Sequence, residues 1–457
     1  MKSSEQEKRY FINPYTNLKD IRKSGSLIIE KGKGIYVYDD NNNRYIEGLA
    51  GLWCVALGFN NKRLIEAANR QLKQLPNYHS FTGKVPLTTL KLSEALVKIT
   101  PKSLTKVLYA NSGSESNDTA IKMAWYYQNA LGKTKKKKII SRYRGYHGVT
   151  IMSGSLTGME YAHNGFDMPR NFVIHTDSPH YYRDSLNGES SKEFVNRLLK
   201  NLENLILKEG ADNIAAMILE PVQGAGGVII PPENYLRGVQ DLLKKYNILL
   251  IVDEVICGFG RTGKMFGCDT FKIIPDMMVT AKGLSSGYVP ISALLINEKI
   301  YETISEFSSY NNLFGHGFTY SGHPLAAAVA LETIKIFKDE NIIGHVKEMS
   351  DKFRSKMEQL NEYSIVGNTR SIGLIGGIEL VQNKKNRVYF DKKIGIGSLV
   401  VKNAQKNGLI VRALQGDIIA VCPPLIISSK EIDILFNMLK KCLKDTEMEL
   451  KTRSLLC

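Results

Sequence analysis

Short apolar segments that alternate with amphipathic helical segments constrain the fold of this chain more than any other feature. Five apolar segments bounded by turn residues predict buried strands over 105–109, 139–141, 214–219, 248–252 and 277–280. The spacing of apolar residues predicts helices over 62–75, 89–99, 115–131 and 233–245. Apolar strands joined through helices form βαβ units, in which both faces of a mostly parallel sheet are covered. The sequence therefore predicts an α/β fold.

The pattern changes at both ends of this alternating region. After Pro324, helices are predicted over 325–337, 349–360, 393–407 and from about Lys430, with apolar strands within 371–380, 409–412 and 418–421. Near the N-terminus, a β-hairpin is predicted with its turn at Asp39–Asn43 and with strand residues Tyr36, Tyr38, Tyr45 and Ile46. We predict an N-terminal segment (residues 1–75) that contributes to a small domain, a large domain (76–335) and a C-terminal α+β small domain (336–457).

Composition limits the class of protein. The 457 residues are 43% hydrophobic and 23% charged, close to the average of globular proteins, which argues against a disordered, collagen-like or disulfide-scaffold chain. No apolar stretch approaches the ~18 residues of a membrane span. The N-terminus has no apolar signal segment, and Glu5 and Glu7 are unlike a transit peptide, so we predict a cytosolic protein. The six scattered cysteines lack C-x-x-C spacing, which argues against a zinc site and fits reduced thiols.

The net charge of +16 raises the question of an anionic partner. The densest basic run, Lys135–Lys138, has no interleaved aromatic residues and reads as a solvated turn that leads into a strand. We therefore predict no nucleic-acid partner. A basic surface equally favours small anionic ligands such as phosphates and carboxylates.

Small or charged residues follow four of the predicted strands at the point where each strand ends. Asn111–Ser114 follows the first strand, Glu220 the third, Asp253 and Glu254 the fourth, and Lys282 the fifth. In open α/β sheets, ligands bind outside the carboxyl ends of the strands. The loop Ser112-Gly113-Ser114 opens a helix, where free N–H groups and the helix dipole suit a phosphate. An ordinary helix N-cap is the alternative for this loop.

Lys282 and Asp253 indicate the chemistry of the predicted site. A lysine at the end of a buried strand is desolvated, which makes its amine nucleophilic and able to form a Schiff base with an aldehyde. A surface lysine is the alternative. A carboxylate at the end of the most apolar strand needs a cationic or hydrogen-bonded partner, and a protonated pyridine nitrogen is one. Pyridoxal 5'-phosphate (PLP) requires a lysine, an acid and an anion loop, so the sequence predicts a PLP site.

A competing motif lies close to the same strand. Gly258–Gly263 matches G-x-G-x-x-G, which in NAD-dependent oxidoreductases leads directly from a strand into a helix. Here Asp253–Cys257 intervene, and Lys264–Asp269 is not expected to be helical. A dinucleotide site is therefore the less favoured hypothesis.

Six segments, in this order, resemble the class III (omega) aminotransferases, which are fold type I PLP-dependent transferases: NSGSESNDTAIKMAW, YHG, EPVQGAGGVIIPP, DEVICGFGRTG, AKGLSSGYVP and HGFTYSGHP. The resemblance covers residues 32–424. Ser116 departs from the family, in which many members have alanine. The segments GLWC, YHSF, NLENLILKEGADNIAA and MFGCD further resemble the pyruvate-dependent branch, which includes plant-type GABA transaminases and bacterial beta-alanine, amine and polyamine aminotransferases.

The resemblance implies roles for individual residues. Lys282 would carry the cofactor and act as the base, and Asp253 would hold the ring nitrogen protonated. Tyr146 and Val255 would lie against the two faces of the ring. The other implied cofactor contacts are Ser112, Gly113, Ser114, Glu220 and Thr319. Because the family donates Thr319 from the neighbouring subunit, the resemblance implies a homodimer or a dimer of dimers.

The resemblance also implies a substrate pocket formed by Trp53, Phe81, Tyr146 and Arg412. Arg412 would bind the carboxylate of the 2-oxo acid, with Glu220 as its counterion when the substrate has none. The predicted reaction moves an amino group from an omega-amino acid or primary amine to a 2-oxo acid, pyruvate being expected, by a ping-pong mechanism. A 2-oxoglutarate-dependent enzyme or an aminomutase of the same family is the alternative.

Overall fold

The computed structural model describes residues 3–310 and 312–456. Cys457, one of the six cysteines considered above, lies outside the described residues. The N-terminal region contains α1 (Ser3–Tyr10), α2 (Leu18–Ser24), β1 (Ile29–Lys33), β2 (Tyr36–Asp39), β3 (Arg44–Glu47), the single turn α3 (Ala50–Trp53) and α4 (Lys62–Gln74).

The middle of the chain forms the alternating part of the fold. Its first half contains α5 (Leu87–Ile99), β4 (Leu104–Ala110), α6 (Gly113–Ala130), β5 (Lys138–Arg142), α7 (Ile151–Leu156), β6 (Val173–Thr176), α8 (Tyr181–Asp184) and α9 (Ser191–Glu209). Its second half contains β7 (Ile214–Leu219), α10 (Tyr235–Lys245), β8 (Leu249–Asp253), α11 (Gly267–Phe271), β9 (Met277–Thr280), β10 (Ser292–Asn297), α12 (Glu298–Tyr310) and α13 (Pro324–Asp339).

The C-terminal region mixes helices with short antiparallel strands. It contains α14 (Ile342–Gln359), β11 (Val366–Ile372), β12 (Ile375–Leu380), α15 (Ile396–Lys406), β13 (Leu409–Ile410), β14 (Arg412–Leu414), β15 (Ile418–Val421) and α16 (Ser429–Thr452). A capping box of Ser428 and Glu431 begins the long α16, as the sequence pattern S-x-x-E favours.

The central sheet confirms the predicted α/β fold with a mostly parallel sheet. Among the described residues it has seven strands in the order β4-β10-β9-β8-β7-β5-β6. The strands from β9 to β6 are parallel, whereas β10 is antiparallel to both of its neighbours, β4 and β9. The sequence reading missed β6 and β10. All the parallel strands therefore end at one edge of the sheet.

Burial on both faces explains why these strands read as continuous apolar runs. Every residue of β7 and of β8 is buried. Along β7, Met217 and Leu219 belong to one apolar core, and Ala216 and Ile218 belong to a second core. A strand covered on both sides has no polar face, so it cannot show an alternating pattern.

Two smaller sheets join the ends of the chain. β1, β2 and β3 form an antiparallel meander to which β13 adds in parallel, and β11, β12, β15 and β14 form an antiparallel sheet. The hairpin predicted around Asp39–Asn43 is present as β2 and β3. Because β13 pairs with β3, the two ends of the chain share one sheet, and the domain limits at residues 75 and 335 stay predictions.

Three local predictions need correction. The Lys135–Lys138 run is not wholly solvated, because Lys136 is 2% exposed and its ammonium donates to the Asn247 carbonyl at 3.0 Å. The apolar segment 371–380 is a hairpin, because Gly373 turns the chain at a φ of +56°. The segment 264–269 is partly helical, since α11 begins at Gly267. Within the described residues, no helix combines the length and the apolar character required to cross a bilayer.

Candidate active site

One cavity gathers most of the side chains that the sequence singled out. It lies where β7, β8 and β9 end and α6 begins, which is the edge expected for a ligand in an α/β sheet. Its lining contains these predicted residues: Trp53, Gly113, Ser114, Tyr146, Glu220, Asp253, Val255, Lys282 and Arg412. Residues separated by more than 350 positions in the chain thus surround a single space.

Asp253 is held in one orientation at the end of β8. Its Oδ2 atom lies 2.9 Å from Nδ1 of His147 and accepts a hydrogen bond of 2.8 Å from Nδ2 of Asn117. Its Oδ1 atom accepts a bond of 3.1 Å from the backbone N–H of Val255. The side chain is 4% exposed. Hydrogen-bonded partners on both oxygens satisfy this buried carboxylate and fix its orientation.

Lys282 follows β9 and begins a short 3₁₀ turn, Lys282–Ser285. Its backbone has a φ of +42°, in the left-handed region that non-glycine residues rarely adopt. Such strain persists only where the surrounding structure maintains it, and it is common at functional sites. The ammonium Nζ lies 5.8 Å from the centre of the Trp53 ring. The amine and Asp253 therefore share the cavity while lying on neighbouring strand ends.

The N-terminus of α6 forms a third wall of the cavity. Ser112 caps this helix, because its Oγ atom accepts a 3.2 Å bond from the Glu115 N–H. Gly113 lies so close to Val255 that an added Cβ would come within 3.0 Å of that side chain. Ser114 Oγ accepts a bond of 3.2 Å from the Val149 N–H. The predicted loop is thus both a helix cap and a site where an anion would meet the positive end of the helix dipole.

Glu220 lines the cavity, but its hydrogen-bond partners are backbone N–H groups. Its two carboxyl oxygens accept bonds from the N–H groups of Tyr146 at 3.0 Å and of Gly224 at 2.9 Å. The pKa of Glu220 is raised, mainly because its carboxyl group is buried. Among the described residues, Arg412 forms no ion pair with Glu220 or with any other acid. In this structure, Glu220 positions the Tyr146 backbone instead of neutralising Arg412.

Trp53 enters the cavity on a strained turn. Ala50, Gly51 and Trp53 all have positive φ values, between +50° and +70°. The turn follows Glu47, whose Oε1 atom accepts a 2.9 Å bond from the Leu49 N–H. Glu47 is 6% exposed, and burial raises its pKa to about 7. The Glu47 carboxyl group and the buried surroundings maintain a backbone conformation of this turn that its residues would not adopt alone.

Nine further residues line the cavity that sequence reasoning did not assign to it, and four of these have polar or aromatic side chains: Tyr15, Asn117, His147 and Tyr161. Asn117 and His147 lie inside motifs that carried the resemblance, so a signal for them was present. Tyr15 has no such signal. Its hydroxyl lies 3.2 Å from that of Tyr146, and its ring meets the ring of Tyr161 edge-on, with 6.0 Å between centres.

Phe81 and Thr319 are not part of this cavity. Phe81 lies against Gly317 in a separate surface depression and is 41% exposed. Thr319 is exposed on the neighbouring segment. A single chain therefore does not bring these two predicted contacts to the remaining site residues.

The comparison with known families decides what kind of protein has this site. Residues 20–443 match the family described as Aminotransferase class-III. The chain belongs to the class-III aminotransferases. Members of this family depend on PLP, and the solved structures that resemble this chain are PLP fold type I transaminases. The predicted family, enzyme class and cofactor are thereby confirmed.

Several relatives are similar over most of their length. Gamma aminobutyrate transaminase 1, mitochondrial, from Solanum lycopersicum is 49% identical over 422 residues, 92% of this chain and 82% of that protein. The omega transaminase of Pseudomonas jessenii in complex with PMP is 46% identical, with a TM-score of 0.97 over 99% of both chains. A transaminase structure with L-ala is 47% identical, with a TM-score of 0.91 over 93% of this chain and all of that one.

The residues of this aminotransferase fit the cofactor chemically. The cavity presents an amine at Lys282, an ionisable acid at Asp253 and a helix N-terminus at Gly113 and Ser114. These groups correspond to the aldehyde, the ring nitrogen and the phosphate of PLP. The competing G-x-G-x-x-G segment, in contrast, forms turns after Asp253 and does not lead directly into a helix.

Proposed function

We propose that this aminotransferase moves an amino group from an omega-amino acid or a primary amine to a 2-oxo acid, with pyruvate as the acceptor. The observation that carries the proposal is the grouping of Lys282, Asp253 and Arg412 around one cavity. The first two residues suit PLP, and the third suits the carboxylate of a substrate. The gamma aminobutyrate relative supports an omega-amino donor.

In this proposal, each wall of the cavity has a task. The cofactor, when bound, acts as an electron sink for the carbon that bears the amino group. Lys282 Nζ removes the proton from that carbon and returns it at the next position, as a general base and acid. Asp253 would keep a proton on the ring nitrogen, and His147 and Asn117 hold the Asp253 carboxylate in its orientation. Gly113 and Ser114 would bind the phosphate, and Tyr146 and Val255 would confine the ring.

The acceptor is inferred from the charges around the cavity. Arg412 is the one arginine among the described lining residues, so a single carboxylate finds a bidentate partner there. Pyruvate has one carboxylate, whereas 2-oxoglutarate has two and would leave one without a cation. The transaminase structure with L-ala supports this choice, because alanine is the aminated form of pyruvate.

We further propose that the active unit is a homodimer. Phe81 and Thr319 lie on exposed segments outside the cavity, together with the exposed side chains of Tyr320 and Leu313. A second copy that covers this surface would receive Phe81 and Thr319 at its own site. The cytosolic location stays a prediction.

The visible absorption of the purified holoenzyme tests the proposed reaction. We expect a yellow band that GABA, beta-alanine, putrescine or L-alanine, added singly, bleaches, and that pyruvate then restores better than 2-oxoglutarate does. The variant Lys282→Ala should fail in both steps, and Lys264→Ala, a change at an exposed lysine, serves as its control. Restoration by 2-oxoglutarate alone would refute the proposed acceptor. Turnover of one substrate without a 2-oxo acid would indicate an aminomutase.

A further inference from the structure

Within the described part of the chain, the guanidinium of Arg412 lies in the cavity without an anionic partner. The two acids that line this cavity, Glu220 and Asp253, are already engaged in hydrogen bonds with other groups. An enzyme that accepts amines without a carboxylate must accommodate this charge when no substrate anion is present. A half-buried cation without compensation is costly.

Two aromatic rings lie close to the Arg412 guanidinium. The Cζ atom of Arg412 lies 5.5 Å from the centre of the Trp53 ring and 5.8 Å from the centre of the Tyr15 ring. Both distances are within the ~6 Å at which a cation is attracted by the face of an aromatic ring. We propose that Tyr15 and Trp53 form an aromatic clamp that stabilises Arg412 whenever the bound substrate carries no carboxylate.

The geometry of a guanidinium makes such a clamp compatible with carboxylate binding. Ring contacts use the flat faces of the group, whereas a carboxylate binds at its N–H edge. The arginine therefore has two kinds of partner, and neither requires Glu220. This inference rests on the proposed function and specifies its donor class. Amines without a carboxylate leave the Arg412 charge unpaired, and they are accepted because the two rings stabilise that charge.

Both rings are positioned independently of Arg412. Trp53 is placed by the strained turn that follows Glu47. Tyr15 is placed by its hydroxyl contact with Tyr146 and by its edge-on contact with Tyr161. Rings that are fixed in advance lose little entropy when they hold the arginine, which favours the clamp over a flexible acidic partner.

Matched donors test the clamp in the holoenzyme. GABA and n-butylamine have the same carbon chain and differ in the carboxylate. We expect Tyr15→Leu to lower the ratio of the n-butylamine to the GABA bleaching rate by roughly three- to tenfold, the effect of losing one cation–π contact. Tyr15→Phe loses the hydroxyl contact but keeps the ring face and its edge-on contact with Tyr161, so its ratio should stay nearer to that of the wild type than the Tyr15→Leu ratio does. An unchanged ratio in Tyr15→Leu would refute the clamp.

A binding measurement separates the clamp from a simpler role of the rings. Trp53 and Trp125 are the two tryptophans of the sequence, so a Trp125→Phe background reports Trp53 emission alone. Titration with butanoate should give a dissociation constant that is no weaker in Tyr15→Leu than in the parent. A weaker constant would show that the rings prepare Arg412 for its anion, which would overturn the proposal. If no donor bleaches the wild-type holoenzyme, the proposed function itself fails, whatever the butanoate result.

Discussion

A buried acid that has no cation beside it among the described residues should make the stability of this enzyme depend on pH. Glu47 is 6% exposed, and burial raises its pKa from the usual 4.5 to about 7. The folded protein then retains a proton on Glu47 between about pH 4.5 and 7, where the unfolded chain has lost it. Because the folded state binds more protons in this range, its stability falls as the pH rises.

The size of this effect follows from the shift in pKa. A difference of about 2.5 units corresponds to about 3 kcal/mol, at about 1.4 kcal/mol per unit. This loss of folding stability is absent below about pH 4.5 and complete above about pH 7. In Glu47→Gln, the side chain is neutral at every pH and can still accept from the Leu49 N–H. We therefore expect the variant to gain about 3 kcal/mol relative to the wild type as the pH rises through this range.

Urea unfolding of the wild type and of Glu47→Gln at several pH values between about 5 and 8 measures this gain. Glu254 has a pKa of about 7 for the same reason, but it is present in both proteins and cancels in the difference. Glu30→Gln is the matched control, because Glu30 is an exposed acid in strand β1 of the same sheet, and its pair with Lys31 is worth little. A difference between Glu47→Gln and the wild type that does not change with pH would refute the reasoning.

Three other substitutions test the site. Lys282→Ala should abolish transamination, because the cavity then has no amine to hold the cofactor and to move the proton; turnover near the wild-type rate would contradict the mechanism. Arg412→Ala should slow the half-reaction with pyruvate more than that with n-butylamine in stopped-flow absorbance, and equal losses would remove its role in carboxylate binding. Gly148→Ala should weaken PLP binding at least tenfold in a titration of the apoenzyme, because Gly148 has a φ of +139° and an added Cβ would collide with Ser114 Oγ; an unchanged affinity would show that the loop is free to move.

The sequence was sufficient for the residues that lie at strand ends. Asp253 and Lys282 each come at the end of an apolar run, and the change from apolar to charged residues shows where the strand ends. Because parallel strands end at one edge of a sheet, residues that follow separate strands in the sequence could be predicted to lie together in the fold. The strands β6 and β10 escaped the same reasoning, because β6 is only partly buried and β10 enters the sheet antiparallel, outside the βαβ alternation.

The parts of the site that the sequence could not predict depend on contacts between distant segments. Tyr15 reaches Tyr146 across 131 positions, and its own neighbourhood of exposed residues gives no sign of that contact. The family resemblance implied a pair between Glu220 and Arg412, yet two backbone N–H groups engage the acid and two rings lie near the arginine. Charge complementarity indicates which groups attract each other, but the path of the backbone determines which of them come into contact.

An arginine held by rings instead of an acid loses no ion pair when a substrate carboxylate arrives, and it has no competing anion to release. The same cavity therefore suits both half-reactions of a transaminase whose donor and acceptor differ by a carboxylate.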